Sequence, residues 1–212
     1  MVQIVLTGRR VMWKESFKMK KRTIALSIGV VLVCLMVSAV LCQAAVYGCL
    51  LWECAPQRPF RVSDLDLPAH LFPQEAIVNS LYPLSEGEGT TENGIKPVYW
   101  NQGSDGRAIY EVLRFPSARQ AREMFQSNKQ AFADLESKEP WQRPAALTFA
   151  SPKADDFFVG CGNWSEYRCG MIARYAEYVV QFNAVIDTEM TYESFEKIVA
   201  FIDNQMTTRL PF

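Results

Sequence analysis

The chain has 212 residues, about half of them apolar, with 22 Lys and Arg, 23 Asp and Glu and a single His. One histidine leaves little material for histidine-dependent catalysis or a multi-histidine metal centre. The first 22 residues hold seven basic side chains and one acid, Glu15, so the rest of the chain holds 15 basic and 22 acidic residues and a net charge of −7. That excess disfavours nucleic acid, whose binding relies on basic patches that release counterions.

From Thr23 to Trp52 thirty residues pass without a charge, directly behind Lys18, Lys20, Lys21 and Arg22. About 20 apolar residues cross a bilayer core of roughly 30 Å, so Ile24 to Leu41 nearly suffices and the remainder overshoots. The basic excess before the run predicts a cytoplasmic N-terminus, residues 1–22, and places everything after residue 52 outside. Met19 followed by Lys20-Lys21-Arg22 is similar to a bacterial export-signal start, so Met1 and Met19 both stand as starting points. Val46-Tyr47-Gly48-Cys49 resembles a lipobox, with Tyr47 too large for its slot, which makes Cys49 a candidate lipidation site. Three maturations follow. An uncleaved single-pass anchor over 23–52 leads, ahead of a lipoprotein acylated on Cys49 and cleavage near Ala44 or Ala45. Each puts the same domain on the far side of the membrane.

Residues 53–106 read as an extended approach, broken by Pro56, Pro59, Pro68, Pro73 and Pro83 and ending in an acidic Gly-rich loop over 85–94. Apolar patches such as Leu65-Asp66-Leu67 and Leu71-Phe72 predict that it docks on the domain or on the membrane surface. The domain itself is expected over 107–212. Alternation predicts strands at 108–115, 147–150, 157–161, 169–175 and 178–186. Ser117 with Gln120 forms a capping box for a helix reaching about Leu135. Thr191 caps a last helix in which Phe195, Ile198, Val199, Ile202 and Met206 recur at helical spacing. The short links favour antiparallel neighbours. The fold class is therefore α+β: an N-terminal transmembrane or signal-anchor helix, then one extracytoplasmic domain with a twisted antiparallel sheet of about five strands packed by two amphipathic helices. This layout is similar to that of PsbP-like and mycobacterial lipoprotein modules, a likeness of layout that carries no residue with it.

Cys161 and Cys169, eight apart in an exported segment, predict a disulfide across a hairpin end that stabilises the fold by about 2 to 3 kcal/mol in the chain-entropy account. The loop they would close carries Trp164 and Tyr167, rigid rings suited to recognition. No cofactor or metal is expected: His70 stands alone, and Asn101 to Val112 lacks the final carboxylate of a calcium loop. The leading functional expectation is a membrane-anchored extracytoplasmic binding or interaction module, with an envelope protein or small molecule as partner and no catalysis of its own. The alternative is an envelope hydrolase or transferase using paired carboxylates, with Asp155-Asp156 and Glu111 as candidates.

Overall fold

The computed structural model describes residues 9–50, 53–84, 89–100, 106–135 and 137–210. It divides into two units, residues 1–51 and 52–212. The first is helix α1, Arg9–Tyr47. Within it Leu26–Ala44 has a mean hydropathy of 2.4 and is long and apolar enough to cross a membrane. Leu26, Leu35 and Met36 are fully presented to the surroundings, as expected of a helix apolar all round.

The second unit contains a six-stranded antiparallel sheet, one strand more than expected. Its strands are β1 (Ile77–Val78), β2 (Glu92–Trp100), β3 (Gly106–Arg114), β4 (Asp156–Trp164), β5 (Glu166–Tyr175) and β6 (Tyr178–Val185), in the order β1-β2-β3-β6-β5-β4. Helix α2 (Ala118–Ala131) and helix α3 (Tyr192–Arg209) pack on opposite faces. Four of the five expected strands form, each within a few residues of its expected limits. Leu147 to Ala150 does not. Leu147 is buried there, but the backbone is drawn to side chains: the Thr148 and Phe149 amides donate to the Glu196 carboxylate, and the Leu147 and Phe149 carbonyls accept from Arg143.

β2 was hidden in sequence by Gly94, Lys96 and Pro97. Its inward positions are Gly94, Lys96, Val98 and Trp100, so a lysine occupies a core slot. Burial is compensated at once: Lys96 Nζ donates to Asp66 Oδ1 and to the Leu67 carbonyl, both at 2.7 Å. An ideal Cβ on Gly94 would crowd Leu81 and Val62, so glycine admits those side chains against the strand.

Asp66 and Leu67 belong to the segment expected to be an approach. In the structure that segment is part of the core. Phe60, Val62, Leu65, Leu67, Phe72 and Leu81 are buried in the main hydrophobic cluster with β2, β3, β6 and α3. Phe60 stacks on Tyr178 at 5.7 Å, and Tyr110 donates from its hydroxyl to the Leu65 carbonyl at 3.0 Å. No division falls at 106/107; residues 52–212 are one compact unit.

α2 is shorter than its sequence pattern, ending at Ala131 rather than near Leu135. Phe132 follows the helix and meets Trp141 edge-on at 5.2 Å. The Trp141 ring lies over Gly162 and both rings over Gly170, where a Cβ would overlap them. α3 matches its expectation: Thr191 Oγ1 accepts from the Ser194 amide, and Phe195, Ile198, Val199, Ile202 and Met206 are buried.

Candidate functional site

Antiparallel register and strand alternation sort the sheet's side chains into two faces. On one, Val98, Trp100, Ala108, Tyr110, Val112, Val180, Phe182 and Ala184 are all buried, covered by α3 and by residues 60–81. The other face is only half covered. α2, Phe132 and Trp141 lie over Leu113, Ile172 and Val179, which are buried. Over the rest of that face Tyr99 and Arg107 are exposed and Ile95, Ile109, Glu111, Gln181 and Asn183 half-buried, whereas Arg168 is buried.

The uncovered half is read row by row. Tyr82 bridges Ile95, which pairs with Glu111, which pairs with Gln181. The next row joins Pro97, Ile109 and Asn183. A third joins Ile77, Tyr99 and Arg107, with Arg168 further along and Glu166 and Trp164 beyond it. Ile77 is 62% exposed, Tyr82 45%, Tyr99 39% and Trp164 46%. Most of the large exposed apolar side chains of this unit therefore lie on one half of one sheet face.

Between the rings the side chains are polar. Gln181 Nε2 donates to Glu111 Oε2 at a long 3.4 Å, and Arg168 reaches Asn183 Oδ1 at 3.5 Å. Among the described residues Gln181 Oε1 and Asn183 Nδ2 have no hydrogen-bond partner. Glu166 is shared between Arg168 at 3.0 Å and Arg107 at 3.5 Å. Burial pulls the pKa of the Arg168 guanidinium down and Arg107 adds to that, while Glu166 acts against them. Among the described residues the two guanidiniums of this face are thus both engaged by Glu166.

The residues singled out from sequence are distributed differently. Cys161 and Cys169 are register partners and form the expected disulfide, with Cα atoms 4.0 Å apart. The loop between them is absent: β4 runs to Trp164, β5 starts at Glu166, and Ser165 turns the chain with φ of 56°. Alternation then sends Trp164 and Tyr167 to opposite faces, so they form no common surface. Trp164 joins the open half-face, whereas Tyr167 shares a hydroxyl–hydroxyl hydrogen bond of 2.9 Å with Tyr192. Burial first, and that bond second, push the Tyr167 hydroxyl up to about 12.

Cys49 and Cys54 are both half-cystines. A sulfur held in a disulfide cannot at the same time carry the thioether of a lipid anchor, so the cystine and acylation of Cys49 exclude one another. Cys34 and Cys42 are free thiols.

Asp155 and Asp156 do not converge on a vacant centre. Arg174 takes Asp155 Oδ2 at 3.0 Å and Asp156 Oδ2 at 2.6 Å, and Asp155 also accepts the Ala176 amide. Glu111, the third acidic candidate, lies on the open half-face. His70 is the exposed middle residue of a short 3-10 turn, Ala69–Leu71. Residues 101–105 of the calcium-like segment lie outside the described residues, and among those described no group of three or more His, Cys, Asp or Glu could hold a metal.

A cleft of about 430 Å³ opens between residues 61–63, 81–84 and 90–94, with Arg61, Tyr82 and Asn93 in its wall. Its polar lining is engaged: Asn93 accepts the Leu84 amide and reaches Thr90, and Glu92 accepts the Val62 amide and pairs with Arg114. Sequence reasoning did not single out Tyr99, Gln181 or Asn183. The only signal was polar residues in the outward phase of β6, legible once the covering helix is known to stop short.

Fold and site together define a class: an α+β domain with one half-open sheet face, following an apolar helix. No family model matches the chain, and no curated protein or solved structure is significantly similar to it.

Proposed function

We propose that this protein is a membrane-anchored extracytoplasmic binding or interaction module and that the uncovered half of its sheet is the working surface. The apolar run 23–52 serves as an uncleaved anchor, with residues 1–22 cytoplasmic and residues 53–212 outside. Support for the location comes from three independent features: the length and hydropathy of Leu26–Ala44, the seven basic residues before it, and disulfides, which persist in oxidising compartments. The observation that carries the binding reading is the exposure of Ile77, Tyr82 and Tyr99 together at the β1–β2 side of that half-face. Contiguous exposed apolar and aromatic surface rimmed by polar groups is the usual mark of an interaction site. The carboxylates proposed for hydrolysis are held by arginines or set apart on that face, so binding without catalysis is the better fit.

The test is photo-cross-linking of the full chain in its native membrane. A photo-reactive residue replacing Tyr99 or Ile109 is expected to give adducts, and one replacing Arg122 on the exposed side of α2 is not. Equal labelling from all three positions, or none from Tyr99 and Ile109, contradicts the assignment.

A further inference from the structure

Resting on the reading that the open half-face binds, its chemistry narrows the ligand. Three properties have to be met together. Exposed rings at Tyr82, Tyr99 and Trp164 favour a ligand with apolar C–H faces. Gln181 Oε1 and Asn183 Nδ2, one an acceptor and one a donor, have no hydrogen-bond partner among the described residues, which favours a ligand dense in hydroxyl or amide groups. Glu166 takes up both Arg107 and the buried Arg168, so the guanidiniums of this face are already paired within the protein, which favours a ligand without charge.

The shape adds a fourth. The face is a sheet surface whose rows cross strands spaced about 4.8 Å apart, so it offers an extended track and no enclosing cavity. A small molecule would gain little burial on it. A peptide strand would add at an edge and need alternating side-chain pockets, and the β4 edge is already bridged by Gln142 at Cys161. A chain of pyranose rings meets all four conditions: C–H faces to stack on aromatic rings, hydroxyl edges to bond the amides, no charge, and an extended form. We infer that the open half-face binds a neutral oligosaccharide or polysaccharide, with Tyr99 stacking on a sugar ring and Asn183 and Gln181 bonding its hydroxyl or acetamido groups.

The experiment uses the full chain in a phosphocholine detergent, because a maltoside would compete. Maltohexaose, cellohexaose and chitohexaose are each offered at about 5 mM, a concentration suited to weak binding, and saturation transfer from protein to sugar C–H protons is read by NMR. At least one sugar is expected to receive saturation. The transfer should fall about fivefold or more in Asn183→Ala and Tyr99→Ser, the effect of one lost hydrogen bond or stacked ring, and stay unchanged in Arg122→Ala. Asn183→Asp keeps the side chain's shape while removing its donor, and thermal unfolding of each variant reports retained folding. Transfer to none of the three sugars, or transfer that survives all three site variants, overturns the proposal. So does an extended Ala-Ser peptide that takes up saturation where the sugars do not, an outcome that leaves the binding face itself standing.

Discussion

Glu177 is the residue on which the second unit closes. It is 1% exposed, and its carboxylate takes Arg58 through two hydrogen bonds of 2.7 and 2.8 Å, with Arg114 at 3.9 Å. Hydrogen bonding to Glu177 raises the Arg58 pKa further, so Arg58 stays charged. Removing one partner of such a pair leaves the others buried and unneutralised, and Glu177→Ala should cost about 3 kcal/mol or more in equilibrium denaturation. A loss under about 1 kcal/mol would show the cluster to be dispensable. The same corner explains why a turn without glycine forms. Ala176 sits at φ of 53° between β5 and β6, a conformation the sequence Ala-Glu gave no reason to expect. Asp155, accepting the Ala176 amide, and Arg58, holding Glu177, fix it from outside the hairpin. Buried tyrosines set the alkaline limit. Burial pushes the Tyr178 hydroxyl up to about 12, and Tyr110 and Tyr175 further, also chiefly through burial. Their neutral forms are favoured in the folded state, so this stabilisation is complete below the unfolded value of about 10 and is lost as pH rises from there through about 12. Denaturation midpoints measured from pH 8 upward should fall over that window, and Tyr178→Phe, whose hydroxyl has no partner, should flatten the fall. A wild-type profile with no decline would contradict the assignment.

At the scale of elements, what sequence revealed depended on whether an element's partners were local. α3 was legible because its cap and its apolar stripe lie within its own residues, and β4, β5 and β6 because short links join them. β2 was not, since Lys96 reads as a surface residue until Asp66 and Leu67, about thirty positions away, are placed over it. The Pro-rich stretch before β2 was misleading for a related reason. Prolines exclude long helices without excluding burial, and Phe60, Leu65, Leu67 and Phe72 are core residues held by two 3-10 turns and long-range side-chain bonds. The open half-face escaped notice because it is defined by where α2 ends, and the helix stops four residues before the sequence pattern does. A chain of residues 107–212 therefore lacks β1, β2 and the part of the cover that residues 60–81 lay over one sheet face. It should show no cooperative thermal unfolding, whereas residues 53–212 should unfold in one transition; cooperative melting of the shorter chain would mean that 53–106 is an accessory after all.

For the whole molecule, the apolar helix and the half-open domain make sense together. An anchor confines the domain to a surface and raises the effective concentration of anything else held there, so a broad and weak binding face can suffice where a freely diffusing protein would need a deep pocket. The arginines of that face are taken up by Glu166 while the segment carries −7 overall, so the remaining surface repels acidic neighbours and directs encounters to one side of the domain. Both arguments depend on residues 53–212 lying outside and on the half-face being open to solvent there. The direct measurement is labelling of Ile77→Cys with a membrane-impermeant maleimide on intact cells. Ile77 is 62% exposed on the open half-face, and the cysteines nearest in sequence, Cys49 and Cys54, are already oxidised. The account predicts that this variant is labelled without lysis, at an extent that lysis does not raise. Labelling that appears only after lysis would place the domain on the cytoplasmic side and contradict it.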